Sequence, residues 1–364
     1  GADPVAFTQT GPYAVSFSDD ATNTSATVGA DVTFDLAGRT WRTGAFAFSD
    51  AGTVRFRNGM FEVGEAVSTF GAGRNLILES GATRFRKSLG ADPMSNGGTI
   101  EVLGGDHQSV GLVLWAPPEN KPSFWMTNGL YEAVGNANGN SLTLFTTARA
   151  LFEGGAFSHS GAVNFYGNSV IDVRTNAFFS GTGSFNYRPG TGQMPTLLIR
   201  GGTVSNTGSF NMGLWSNEAA TSRVALVDGV FAVKSLQMGK ASKTVSVIEQ
   251  TGGVLRTPGT VYVGNSAAAE AEIRVSGGRF ETPGIMELGY TGGSTGRLVV
   301  AGGEVVISNE VNFGSNAGAM GELTVSGGSL IVGGYVLRIG RHASGVGRVV
   351  ITGGTFYHET VSYG

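Results

Sequence analysis

The chain has 364 residues, 60 of them glycine and none cysteine, with 41% hydrophobic and 14% charged residues and a formal net charge of −3. Without cysteine there is neither a disulfide framework nor a thiolate metal site, and so slight a charge, with no basic run, argues against nucleic acid as a partner. No run of 18 apolar residues is present to span a bilayer, and glycine without a strict every-third spacing excludes collagen while suiting tight turns between buried strands.

Residues 1–30, GADPVAFTQTGPYAVSFSDDATNTSATVGA, lack the turn dipeptides found along the rest of the chain and are expected to form an N-terminal cap. An open solenoid end would otherwise present unpaired strand edges and an exposed core. The opening GADPVAF, without an initiator methionine, reads as a mature or expressed segment whose signal peptide, if any, has been removed. From Val32 short apolar runs begin, with turn dipeptides at Ala37-Gly38, Asn58-Gly59, Ser80-Gly81 and Gly104-Gly105, spaced by 21, 22 and 24 residues. The stretch 106–125, with Pro117, Pro118 and Pro122 between Trp115 and Trp125, predicts a large loop insertion; smaller ones are expected over 89–98, 187–195 and 214–223. Further turns at Asn128-Gly129, Gly154-Gly155, Asn176-Ala177, Gly201-Gly202 and Asp228-Gly229 keep the spacing.

The period tightens over 250–364. The second glycine of each pair is Gly253, Gly278, Gly303, Gly328 and Gly354, at intervals of 25, 25, 25 and 26. A single glycine closes an apolar run at Gly213, Gly239, Gly264, Gly289, Gly314 and Gly340. Repeats of this length mark a solenoid or a propeller. In GELTVSGGSLIVGGYVLRIG, 321–340, apolar residues alternate and glycines divide three short strands, with no helical spacing. Three strands leave too little chain for a four-stranded propeller blade, which takes about 40 residues. The pattern therefore predicts an all-β parallel β-helix over 31–364, of about 14 or 15 coils with three short strands each.

Equivalent residues in such coils stack about 4.8 Å apart. Phe231, Leu255, Phe280, Val305, Leu330 and Phe356 are then expected to stack inward, as are Val275, Val300, Val325 and Ile351. Tyr262, Glu287, Asn312 and Arg338 are expected to point outward. Tyr363-Gly364 repeats the register of Ile339-Gly340, as expected where a further coil comes next.

The repeated pattern in GELTVSGGSL, AEIRVSGGRF and GRLVVAGGEV resembles the repeats of large exported bacterial β-helix proteins, including autotransporter passengers and related surface proteins. The resemblance covers about the last 160 residues well and the earlier coils loosely. It implies a right-handed solenoid on an extracellular or cell-surface protein, and its motif carries no catalytic residue. The polygalacturonase-like β-helix enzymes share only the fold, since NTD, GHG and RIK motifs are absent and the single DD, Asp19-Asp20, lies in the expected cap.

Candidate chemistry is sparse. Glu272, Arg297, Glu322 and Arg348 occupy one column, where alternating charge is expected to fix register rather than bind a ligand. Glycoside hydrolysis needs two convergent carboxyls, for which Asp106, Glu132 and Glu153 are the candidates by spacing; a lyase would draw on Arg84, Arg86 or Lys87. The four histidines form neither HExxH nor a column, and calcium-binding nonapeptides are absent, so no metal or cofactor is expected. Trp115, Trp125, Trp215 and Tyr290 are the ligand-binding candidates, because sugars stack on exposed aromatic faces. The expected function is a non-catalytic segment of an exported bacterial protein, a rigid stalk or an adhesive surface contacting an extracellular glycan or surface protein. The alternative is a polysaccharide lyase or glycosidase with its site beside 106–125.

Overall fold

A computed structural model of the chain describes residues 3–29, 31–64, 68–71, 73–87, 89–91, 98–116, 121–215, 220–334 and 336–359. These residues are all-β. No helix occurs among them, and so none long and apolar enough to cross a membrane. Short strands separated by left-handed glycines pair in parallel with the strand one period on, and each turn contributes to three columns. This is the β-solenoid expected from the 25-residue period.

The chain divides into two compact units, residues 1–164 with 169–181, and 165–168 with 182–364. In the first unit, one column runs through Tyr13–Ser16, Val32–Asp35, Gly52–Arg57, Arg74–Leu78, Thr99–Val102, Phe124–Met126, Arg149–Phe152 and Val170–Arg174. In the second, the equivalent column uses the first parts of Thr196–Asn211 and Ala220–Met238, then Thr244–Gln250, Glu270–Val275, Thr295–Val300, Met320–Val325 and Val346–Ile351.

Inside each unit, stacked side chains make the core. In the second, Phe231, Leu255, Phe280, Val305 and Leu330 lie in register and are buried, as are Val275, Val300 and Val325. Full burial of each such side chain is worth about 1.5–3 kcal/mol. Ile351, on the last described rung, is half-exposed because no described strand lies beyond it. The first unit fills its interior with rings instead: Phe56 stacks on Phe61 at 4.1 Å, and Tyr131, Phe157 and Phe179 form a ladder with spacings of 5.6 and 4.8 Å.

Three expectations gain detail in the structure. Residues 5–28, expected as a cap of atypical sequence, contain Val5–Phe7, Tyr13–Ser16 and Ala21–Val28, which pair in parallel with the next rung. The stretch 106–125 is not one large insertion. Asp106–Val110, Leu112–Leu114 and Phe124–Met126 are strands, one in each column, and only a short loop joins the last two, with 117–120 outside the described residues. The strand was hidden because its inward residues are polar. His107 accepts from the Thr83 hydroxyl (3.0 Å) and donates to the Gly104 carbonyl (2.6 Å), while the Tyr131 hydroxyl donates to Ser109 (2.9 Å). Of the smaller insertions, 89–98 begins with the strand Leu89–Ala91 and 214–223 ends within a strand; 92–97 and 216–219 lie outside the described residues, as do Tyr363 and Gly364.

The third difference concerns Tyr262, Glu287, Asn312 and Arg338. They are in register, but Glu287 is only 5% exposed and Asn312 is fully buried. The loops after these strands fold back over them. Ser315 donates to Glu287, Arg341 does so at 3.1 Å, and Asn312 donates to Glu287 at 3.0 Å.

Candidate ligand-binding flank

In the second unit, Met212, just after the strand Thr196–Asn211, and the strand-ending residues Met238, Val263, Leu288, Phe313 and Ile339 are each followed by a left-handed glycine, with φ between 60° and 85°. The glycine reverses the chain, and the residue after it stacks on the loop one turn earlier: Lys240 N donates to Met212 O (3.0 Å), Asn265 N to Met238 O (2.9 Å), Tyr290 N to Gly264 O (3.1 Å) and Ser315 N to Gly289 O (2.9 Å). Loops paired in this way rise at the strand spacing of about 4.8 Å. The residues after the glycines form a strip along the unit, Leu214, Lys240, Asn265, Tyr290, Ser315 and Arg341, and Trp215 follows Leu214 in the first of these loops.

Trp215 is 61% exposed. Its ring packs over the Arg188 guanidinium at 4.6 Å, and Arg188 Nη1 donates to the Tyr166 hydroxyl at 2.8 Å. The arginine is thereby fixed from below, and the indole is held by a cation–π contact with its other face in water. Three loops further on, Tyr290 packs against Tyr262 with ring centroids 4.7 Å apart. Trp215 and Tyr290 therefore belong to stacked loops of one column, about 14 Å apart along the axis at the strand spacing.

Beneath the strip runs a polar ladder in register, Asn186, Asn211, Gln237, Tyr262, Glu287 and Asn312. Asn211 donates to Asn186 (2.9 Å), and Lys240 Nζ donates to Asn211 Oδ1 (3.2 Å). Partial burial lowers the Lys240 pKa.

The other two candidate tryptophans have different roles. Trp115 is half-buried and stacks on Phe145 at 4.4 Å with 16° between planes, which packs its loop onto the first unit. Trp125 uses its indole N–H to donate to Glu153 at 2.9 Å.

The three candidate carboxylates do not stack on one another. Asp106 pairs in register with Leu130, whereas Glu132 pairs with Gln108 and Ser158; Glu153 follows a strand of another column. Each has its own partner: Asp106 an ion pair with Arg84 (2.9 Å), Glu132 a hydrogen bond from Gln108 (2.6 Å), Glu153 the Arg174 guanidinium. Arg86 is held by Glu62 at 2.7 Å. Shallow concavities of about 430 Å³, beside Tyr13, Asp31 and Arg55, and about 570 Å³, beside Ser205, Lys234 and Arg256, bring no two carboxylates together. Among the described residues no group of three or more potential ligands is arranged for a metal ion.

Sequence reasoning passed over Arg188, Tyr166 and Lys240, which complete the flank. The signal was available in the glycine column, since the residues just after each glycine form one strip once the loops stack. No known protein family, curated protein or solved structure matches the chain.

Proposed function

We propose that this chain is a non-catalytic segment of an exported or cell-surface bacterial protein, a stiff scaffold whose second unit offers a glycan-contacting flank centred on Trp215 and Tyr290. The observation that carries this reading is the Trp215 indole, braced on Arg188 and open to water, in the same column of stacked loops as Tyr290. A large exposed aromatic ring costs free energy in water unless a partner covers it, and a sugar ring matches its flat apolar face and polar rim. The backbone hydrogen bonds of successive loops hold these rings in place without a ligand. A glycosidase or lyase near 106–125 gains no support, because the three carboxylates, Arg84 and Arg86 are engaged with other side chains.

The test is a glycan array probed with the full chain, followed by affinity measurement and product analysis on every hit. Binding without cleavage, weakened about tenfold or more by Trp215→Ala with an unchanged far-UV spectrum, is the expected result. Release of shorter glycans would replace this reading with the enzymatic one.

A further inference from the structure

The loops that build the flank contain no carboxylate among the described residues. They read GLW at 213–215, GKASK at 239–243, GNSAAA at 264–269, GYTGGS at 289–294, GSNAGA at 314–319 and GRHASG at 340–345. Glu218 belongs to 216–219, outside the described residues. The nearby acids are already neutralised: Glu287 by Arg341 at 3.1 Å, Glu310 by Arg338 at 2.7 Å and Glu270 by Arg297 at 3.1 Å.

The cations are distributed differently. Elsewhere in this unit arginines face carboxylates, as Arg223 faces Glu249 and Arg297 faces Glu322. On the flank, Arg188 contacts rings and a hydroxyl, Lys240 contacts an asparagine oxygen, and Lys243 is exposed in the same loop; none of the three has a described carboxylate as ion-pair partner. Among the described residues, the strip between Trp215 and Tyr290 therefore carries unpaired positive charge on a chain whose net charge is −3. Burial also weighs against the charged form of Lys240, a penalty that an anionic group on a ligand would offset.

We propose that the flank takes an acidic glycan, a polymer bearing uronate or sulfate groups, laid along the solenoid axis with sugar faces on Trp215 and Tyr290 and anionic groups against Lys240 and Lys243. This inference rests on the reading of the flank as a glycan-contacting surface. Parallel stacking gives the ligand its direction, because the aromatic and basic side chains succeed one another from loop to loop along the axis.

The experiment titrates the full chain with a polyuronate, a sulfated glycosaminoglycan, a neutral β-glucan and a single-stranded oligonucleotide, at low and high salt. Wild type is compared with Trp215→Ala and with the double variant Lys240→Gln and Lys243→Gln. The expected result is binding of at least one acidic glycan about tenfold or more tighter than the neutral one, weakened by salt and lowered about tenfold in the lysine variant. Thermal melts of the variants confirm folding, and Lys243→Gln alone, at an exposed position, gives a second measure if the pair proves unstable. Equal binding of the neutral glycan, or an unchanged affinity in the lysine variants, overturns the acidic preference and leaves the flank reading standing. Oligonucleotide binding as tight as the glycan, insensitive to Trp215→Ala, overturns it in favour of a general polyanion surface. Failure of both glycan classes to bind removes the flank reading itself.

Discussion

A glycine in a solenoid turn is constrained by the rung below it as well as by its own backbone. Gly278 has φ +74°, and a Cβ there would land on the backbone of Gly252 and Gly253 in the preceding turn. Gly38 has φ +81° with nothing near the same position. Both substitutions to alanine incur the left-handed penalty of about 1–2 kcal/mol, but only Gly278→Ala must also displace a neighbouring turn. In urea denaturation, Gly38→Ala is expected to lose about 1 kcal/mol and Gly278→Ala clearly more than about 2 kcal/mol. Equal losses would show that contact between turns does not select the glycine. His159 gives a pH-dependent counterpart. Burial holds its pKa down to about 4, below the ordinary value of 6.5. The unfolded chain takes up this proton below about pH 6.5 while the folded chain does not until about pH 4, so the stability contributed by neutral His159 is complete above 6.5 and declines across that window. Between pH 7 and pH 4.5 the loss attributable to this group is on the order of 2 kcal/mol. His159→Gln, which removes the titration, is expected to flatten that part of the stability profile relative to wild type.

Two ladders of the second unit contribute unequally. Glu272, Arg297, Glu322 and Arg348 are in register as expected, with Arg297 to Glu322 at 2.9 Å and Arg348 to Glu322 at 3.5 Å. The arginines remain about a third or more exposed, so solvent screens the pairs. Glu322→Ala is expected to cost about 1 kcal/mol or less, and the cost should shrink in high salt. The inward ladder behaves otherwise. Phe280 is fully buried between Leu255 and Val305, and Phe280→Ala is expected to cost about 3–5 kcal/mol with no salt dependence. Thermal melts at two salt concentrations separate the two cases; similar losses at both sites would mean that the charged column carries structural weight beyond its exposure.

Taken over the chain, each unit is held by strand pairing between residues about one period apart. Cysteine is absent, and among the described residues no metal-ligand cluster occurs. Chelation with EDTA is therefore expected to leave the melting temperature unchanged, and a fall of several degrees would point to a bound cation. Because loops repeat with the strands, a side chain placed after one turn glycine recurs on the same flank in the next turn. That repetition turns isolated aromatic and basic residues into an extended surface, which is the proposed basis of glycan contact.

The sequence by itself determined the solenoid, its period and the inward stacks, because parallel coils of fixed length place equivalent letters above one another and glycine pairs mark each corner. It also placed Trp215 and Tyr290 among the binding candidates. Only the tertiary structure decided which aromatics remain open, since Trp115 and Trp215 look alike in sequence and differ in what lies beneath them, Phe145 in one case and Arg188 in the other. Tertiary structure likewise decided that Glu287 and Asn312 are covered, and that 106–125 holds strands whose inward residues are polar. The physical reason is the same throughout: a repeat sets which residues share a column, whereas the loop crossing that column decides whether water reaches it.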